Sequence, residues 1–529
     1  MKKLVCFLLA VLIVIPALCI NSTAADKLKY EGLAYRILED DTIEIRNYTG
    51  ANPIVNIPET IDGRTVTQLN RNAFYNRRYI TEVTIPKTIT AISLCCFEGC
   101  ISLEKVNLHE GITEIDRHAF YNCESLTEIT IPSKVNEIRD KVFFGCKALK
   151  SVVIPEGVKV IEESAFYGCE SLENVTLPST LTEIELDGFR FCTSLKEINF
   201  PDSMQKLGGR TFMDCKSLKS LYIPANLLEM NVLEFAGCSS LDSIIVDKNN
   251  LQYDSRNNCN AIVDRFSDQL LYGCNNTVIP DTVKSIYNNA FEGMTFTSFT
   301  IPDNVETIGR GVFYNCKELK EVVLPKSLKG INGGMFINCE KLEKVDIPDT
   351  VEVIGEEAFD NCNSLSQIKI PDTVDYIGSF AFYNCKSLSS IIIPKSVTVI
   401  GWGAFYGCNS LADMVVLGAT CRIEVDESTW PLQPNLSFYT RIHSYKGSAA
   451  EAYANEFGNP FSVIGSILGD ADGDGEVSVM DATEIQMSVA QIKQYFGDTA
   501  IADVDKDGEV AIMDATTIQR FIARIIETL

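Results

Sequence analysis

AFYNCESLTEITIPSKVNEI, residues 119–138, holds most of one turn of a unit that the chain repeats for more than half its length. Its aromatic residue, Phe120, belongs to a series at Phe97, Phe120, Phe143, Phe166, Phe189, Phe212 and Phe235, spaced 23 residues apart. A second series with the same spacing runs through Phe313, Phe336, Phe359, Phe382 and Phe405, and Phe74 and Phe291 stand at the head of the two series. Three residues after the aromatic comes a cysteine, in twelve coils from Cys100 to Cys408, and in ten of these the residue before it is Gly or Asn. Both tolerate positive φ, so the backbone is expected to turn there once per coil. Alternating apolar residues follow, as in Leu126, Ile129 and Ile131, and then Pro132. This pattern reads as a short strand, which stops where proline cannot donate to a ladder.

A single coil of this length cannot bury its apolar side, whereas a stack buries continuous rows of Leu, Ile, Val and Phe. Fourteen Phe-centred coils at a strand spacing of about 4.8 Å give a rod about 65 to 70 Å long. The repeat resembles the BspA-like, Treponema-type bacterial leucine-rich repeats over roughly residues 58–417. That resemblance implies a β-rich leucine-rich-repeat solenoid of a kind often found in surface adhesion proteins. The period slips between Phe235 and Phe291, and residues 247–279 are expected to form an irregular insertion, folded as a hairpin. Residues 26–57 and 418–465 lack the repeat and are expected to cap the ends, where open strand edges invite aggregation.

The chain has 529 residues, 46% of them hydrophobic, and a formal charge of −25, which argues against nucleic acid or an anionic membrane as a partner. Lys2 and Lys3, the apolar run Leu4–Ile20 and the small residues up to Ala25 have the order of a secretory signal peptide over residues 1–25. The mature protein is thus expected to be secreted and extracellular, with no membrane span. Of the 19 cysteines, twelve occupy one equivalent inward position. A reduced, buried ladder is favoured over stacked disulfides, and a metal site is disfavoured because no histidine stands near these thiols at zinc-finger spacing.

From residue 468 the composition changes. GDADGDGEVSVMDATEIQ (469–486) and ADVDKDGEVAIMDATTIQ (502–519) are two copies of one unit, 33 residues apart. Asp470, Asp472 and Asp474 stand at positions 1, 3 and 5 of a twelve-residue loop, Gly475 at 6, Glu476 at 7, Ser478 at 9 and Asp481 at 12. Asp503, Asp505, Asp507, Gly508, Glu509 and Asp514 repeat the arrangement, with Ala511 in place of the serine. Calcium takes six to eight hard oxygens, and this spacing converges them while Gly permits the sharp turn; Glu476 and Glu509 would supply backbone carbonyls. Two calcium ions are the expected cofactors. Ile485, Val489 and Ile492, and Ile518, Ile522 and Ile525, fall at helical spacing, so two amphipathic helices can pair.

The tail, residues 468–529, resembles the type I dockerin, a small all-α calcium-binding module that attaches cellulosomal components to cohesins of a scaffoldin. Carried over from that family, the cohesin interface falls on Val479, Met480, Gln486 and Met487 and on Ile512, Met513, Gln519 and Arg520. The family's usual hydroxyl pair is replaced by an apolar residue and Met, and the near-identity of the halves hints at docking in two orientations. His109, His118 and His443 sit in no hydrolase motif, and His118 reads as a surface residue. The chain is thus expected to be a non-enzymatic binding or adhesion protein held in a cellulosome-type complex, its solenoid recognising protein or polysaccharide. Alternatives are a structural or inhibitory partner of other complex proteins, or a polysaccharide-degrading enzyme. Aromatic residues after the repeat Phe form a candidate ligand face, Tyr121, Phe144, Tyr167, Tyr383 and Tyr406, although the simpler reading is that they cover the turn.

Overall fold

The structure, a computed structural model, describes residues 28–230, 233–425, 436–437, 439–464 and the scattered positions 482–483, 485–486, 504, 510–511 and 515–519. The 23-residue period becomes a pairing register: Ser151–Val153 pairs in parallel with Asn174–Thr176 residue for residue, as does Glu183–Ile184 with Lys206–Leu207. Most coils contribute two short strands. The first precedes the proline, as in Glu321–Val323; the second follows it, as in Gly330–Ile331. Sequence reading anticipated only the first, because a two-residue strand leaves no alternation to detect.

Phe side chains form the spine of the core. Phe143 is fully buried, stacked on Phe120 at 5.5 Å and on Phe166 at 5.3 Å. The stack runs unbroken from Phe74 to Phe235 and again from Phe291 to Phe405. Between them lies the insertion, where Ala261–Asp264 and Gln269–Gly273 pair antiparallel as a hairpin whose second strand then pairs in parallel with Ser285–Ile286. Its Tyr272 closes the first stack edge-on against Phe235 at 5.6 Å.

The residue before each ladder cysteine has positive φ in every coil, including the two that sequence did not favour, Phe191 (φ 61°) and Asp214 (φ 63°). In the second series the asparagines at this turn form a ladder of their own, Asn338 donating to Asn315 at 2.8 Å and Asn361 to Asn338 at 2.9 Å. The last amide, Asn384, points at Gly407, where a Cβ would lie 2.1 Å from its oxygen. A Cβ at Gly407 would displace that amide, whereas Asn338, Asn361 and Asn384 each follow an asparagine by donating to its oxygen.

Each ladder thiol also has a donor's task. The carbonyl of Phe97 accepts from the Cys100 N–H of its own coil at 3.1 Å and from the Cys123 thiol of the next coil at 3.2 Å. The same bond recurs at 3.0–3.3 Å for all twelve ladder cysteines, for example Cys146 to Phe120 and Cys385 to Phe359. A carbonyl has two lone pairs, and the thiol fills the second from a side chain small and apolar enough for the core. All seventeen described cysteines are free thiols, and burial pushes Cys100 up to about 12. We expect the ladder to be inert to alkylation in the folded protein and fully reactive in denaturant without reductant. Cys146→Ala removes a donor and leaves a small void, and its expected cost is about 1–2 kcal/mol, read from the shift in the urea midpoint.

At the start, Leu33–Ile37 pairs antiparallel with Ile43–Tyr48, which then pairs in parallel with Arg64–Leu69 and so becomes the first rung. At the far end, Arg441–Ser444 and Phe461–Val463 extend the sheet of Asp413–Val416. Helix Ala449–Phe457 covers this end, capped by the Ser448 side chain accepting from Glu451 N–H and stopped by left-handed Gly458. Among the described residues no helix is long and apolar enough to cross a membrane. The proposed signal segment lies outside the described residues.

Candidate binding surfaces

Three surfaces follow from this architecture. The first is the aromatic row at the turn after each repeat Phe. Tyr121 stacks on Phe144 at 4.6 Å and Phe144 on Tyr167 at 4.5 Å, nearly parallel. His118 covers the outer face of Tyr121 at 5.2 Å, while the Arg190 guanidinium, 5.9 Å from the ring centre, and the edge of Phe191 close the row at Tyr167. These rings are half-buried, and each lends its faces to its neighbours, so the row presents edges and hydroxyls outward. Tyr383 and Tyr406 form a separate pair at 5.7 Å, with Tyr406 45% exposed. The structure therefore gathers the candidate aromatic residues into two groups far apart along the chain.

The second surface was not foreseen. In the coil containing Gln367–Ile370 the first strand of the repeat is not formed, although the neighbouring coils form Lys344–Val345 and Ser390–Ile393. Along this gap runs a groove of about 970 Å3. Its lining mixes ammonium groups (Lys326, Lys344, Lys369), carboxylates (Glu343, Asp346, Asp349), polar groups (Thr350, Gln367) and apolar residues such as Val323, which is half exposed. Lys344 pairs with Asp346 at 3.0 Å, which raises the lysine pKa. Such a lining offers donors, acceptors and apolar contact along an extended trough, and suits an extended chain more than a compact small molecule.

The third is the tail. The calcium donors Asp470, Asp472, Asp474, Glu476, Ser478, Asp481, Asp503, Asp505, Asp507, Glu509 and Asp514 lie outside the described residues, as do Val479, Met480, Met487, Ile512, Met513 and Arg520. What is described follows the internal repeat. Ala482 and Ile485 are helical and fully buried, and so are Ala515 and Ile518, 33 residues later. One position beyond each pair, Gln486 is half-buried and Gln519 exposed, on corresponding faces of the two halves. Every side-chain donor in the two loops is an oxygen, a hard set that fits calcium better than a softer ion.

His118, partly exposed, faces Cys95, a thiol outside the twelve-cysteine ladder, in the preceding coil, and with Glu98 the three ligand-type atoms lie within 4.8 Å of one another. Spacing along the chain concealed this, because 23 residues, the coil period, places two side chains next to each other.

Two family profiles match this organisation. A profile described as the BspA type leucine rich repeat region matches residues 67–185, 136–263, 258–366 and 329–424, and the dockerin type I domain profile matches 468–523. No curated protein matches. Among solved structures, a leucine rich cell surface protein from Faecalibacterium prausnitzii is 26% identical, covering 74% of this chain and 94% of its own, with a TM-score of 0.49. A leucine-rich repeat protein from Bacteroides ovatus is 28% identical, covering 83% and 100%, with a TM-score of 0.46.

Proposed function

Since the chain belongs to the BspA-type leucine-rich repeat family and carries a type I dockerin domain, we propose that it is an exported binding protein whose tail plugs it into a cohesin-bearing scaffoldin. The single observation that carries this reading is the pair of Asp-rich loops inside the segment matched as a dockerin. Dockerins of this type bind calcium and cohesins, and leucine-rich repeats and dockerins are both non-catalytic binding modules. Two calcium ions, one per loop, are the proposed complement. In loop one Asp470, Asp472, Asp474 and Asp481 give carboxylates, Glu476 its backbone carbonyl, and Ser478 a hydroxyl; loop two repeats this with Asp503, Asp505, Asp507, Glu509 and Asp514. Val479, Met480, Gln486 and Met487, with Ile512, Met513, Gln519 and Arg520, form the proposed cohesin surface. Gln486 and Gln519, lying outside the buried pairs at matching offsets, support that assignment.

The solenoid is the cargo-binding part, recognising a polysaccharide or an extended protein segment. Its proposed contact surfaces are the groove along Gln367–Ile370 and the exposed Tyr406 that ends the Tyr383–Tyr406 pair, since the Tyr121–Phe144–Tyr167 row has its ring faces occupied. The test is to display the full calcium-loaded protein on polysaccharide and peptide arrays, alongside a Lys344→Ala, Lys369→Ala double variant. We expect the strongest signal to fall about tenfold in the variant, equivalent to about 1.4 kcal/mol. Equal binding by the two proteins would remove the groove from the proposal, and release of soluble sugar would replace binding with hydrolysis.

A further inference from the structure

We propose that Cys95, Glu98 and His118 form a site for a borderline-soft divalent cation of the zinc class, with three protein ligands and a fourth position left to water. Among the described residues they are the one group of metal-ligating side chains whose donor atoms converge, all within 4.8 Å of one another. Zinc–ligand bonds of about 2.0–2.3 Å place tetrahedral ligands roughly 3.5 Å apart, so small side-chain rotations suffice to close the site. The His118 Nδ1 to Glu98 Oε2 separation, 3.7 Å, is already of that size.

Several independent features converge on these residues. Cys95 is the only described cysteine that is not buried, so core packing does not account for it. It belongs to a second left-handed position in each coil, which holds Asn72, Cys95, His118, Lys141 and Ser164 in turn. Cys95 N–H donates to the Arg117 carbonyl at 3.2 Å, and His118 N–H to the Asp140 carbonyl at 3.2 Å, which lays the two side chains side by side on adjacent coils. Glu98 stands where the flanking coils have aromatic residues, Tyr75 and Tyr121, so the outer row is interrupted by a carboxylate in the coil that carries the cysteine. On the far side of the ring, His118 Nε2 lies 3.6 Å from Asp140 Oδ2. A carboxylate on the second imidazole nitrogen is the usual means of fixing the tautomer that leaves the first free to bind metal.

Binding displaces the Cys95 proton to solvent, and the ion then ties the Phe97 coil to the Phe120 coil. The experiment uses the full chain with saturating calcium, so that the tail loops are filled, and titrates Co2+ and then Zn2+. Thiolate-to-Co2+ charge-transfer absorption is expected to appear with one equivalent and to be displaced by Zn2+; residues 468–529 contain no cysteine and cannot produce it. Cys95→Asn and His118→Asn place asparagine at left-handed positions, as Asn72 already is (φ 65°), so both variants are expected to melt with the metal-free parent. Each should abolish the band and weaken Zn2+ binding by more than about a hundredfold, the upper end of what losing a mere outer-shell partner costs. Absence of the band in the parent would overturn the proposal, and so would its survival in Cys95→Asn, which would transfer the ion to the buried thiols.

Discussion

Phe143→Ala is expected to destabilise the solenoid by about 3–5 kcal/mol, whereas Phe144→Ala, one residue away, is expected to cost about 1 kcal/mol. Phe143 is fully buried and has ring neighbours at 5.5 and 5.3 Å in the coils before and after it. Its removal leaves a cavity that the rigid 23-residue register cannot close, because both flanking coils are held by parallel ladders and by bonds such as Phe143 N–H to the Ala165 carbonyl at 2.9 Å. Phe144 stacks just as closely on its neighbours but at the half-exposed turn, where truncation opens a notch to solvent and not an internal void. Coils in an array contact only their neighbours, so the damage should be local first. Hydrogen exchange in Phe143→Ala is expected to quicken in the coils of Phe120, Phe143 and Phe166 before those beyond Phe291. Equal urea midpoints for the two variants would show that the Phe stack is not the spine of the core.

The elements legible in the sequence are those whose residues are demanded by one backbone feature each. Gly or Asn before the cysteine marks a left-handed turn, which stands where the sequence placed it; proline marks the end of the first strand in most coils, but the strand expected over residues 126–131 is not formed, nor is that over residues 367–370. The hairpin in the insertion was legible too, from the slip in the period. The second left-handed position at Cys95, His118, Lys141 and Ser164 carries no signature. There the conformation is imposed by hydrogen bonds to the next coil, such as Lys141 N–H to the Glu163 carbonyl at 3.0 Å, and the side chain is free to vary. Juxtapositions across coils were the other blind spot. Cys95 beside His118, and the groove where Gln367–Ile370 leaves the sheet, depend on what stands one period away, and local spacing rules do not look that far. The tail is the reverse case: its donors were named from spacing alone, and the structure adds the burial of Ala482, Ile485, Ala515 and Ile518 at repeated offsets.

Those repeated offsets shape the largest effect expected of the molecule. Removing calcium with excess chelator should weaken capture by a cognate cohesin by at least about a thousandfold, or about 4 kcal/mol. A loop that brings several carboxylates together cannot stay closed without the cation that offsets their repulsion, and the helices on which Gln486 and Gln519 lie begin where the loops end. Asp470→Ala together with Asp503→Ala should reproduce the chelator result in saturating calcium, which separates loss of the ions from any effect of the chelator on the cohesin. Single-sided changes at the docking surface are expected to behave differently. If two near-identical faces allow two orientations related by a half-turn, Val479→Asp with Met480→Asp leaves the other orientation intact and costs only about twofold, or about 0.4 kcal/mol. Adding Ile512→Asp and Met513→Asp should then abolish capture, a loss far larger than the sum of the two single-sided losses. Titration calorimetry with the full chain reads all of these. Unchanged capture in chelator would remove the calcium-held plug from the account, and a complete loss from either single-sided pair would confine docking to one orientation.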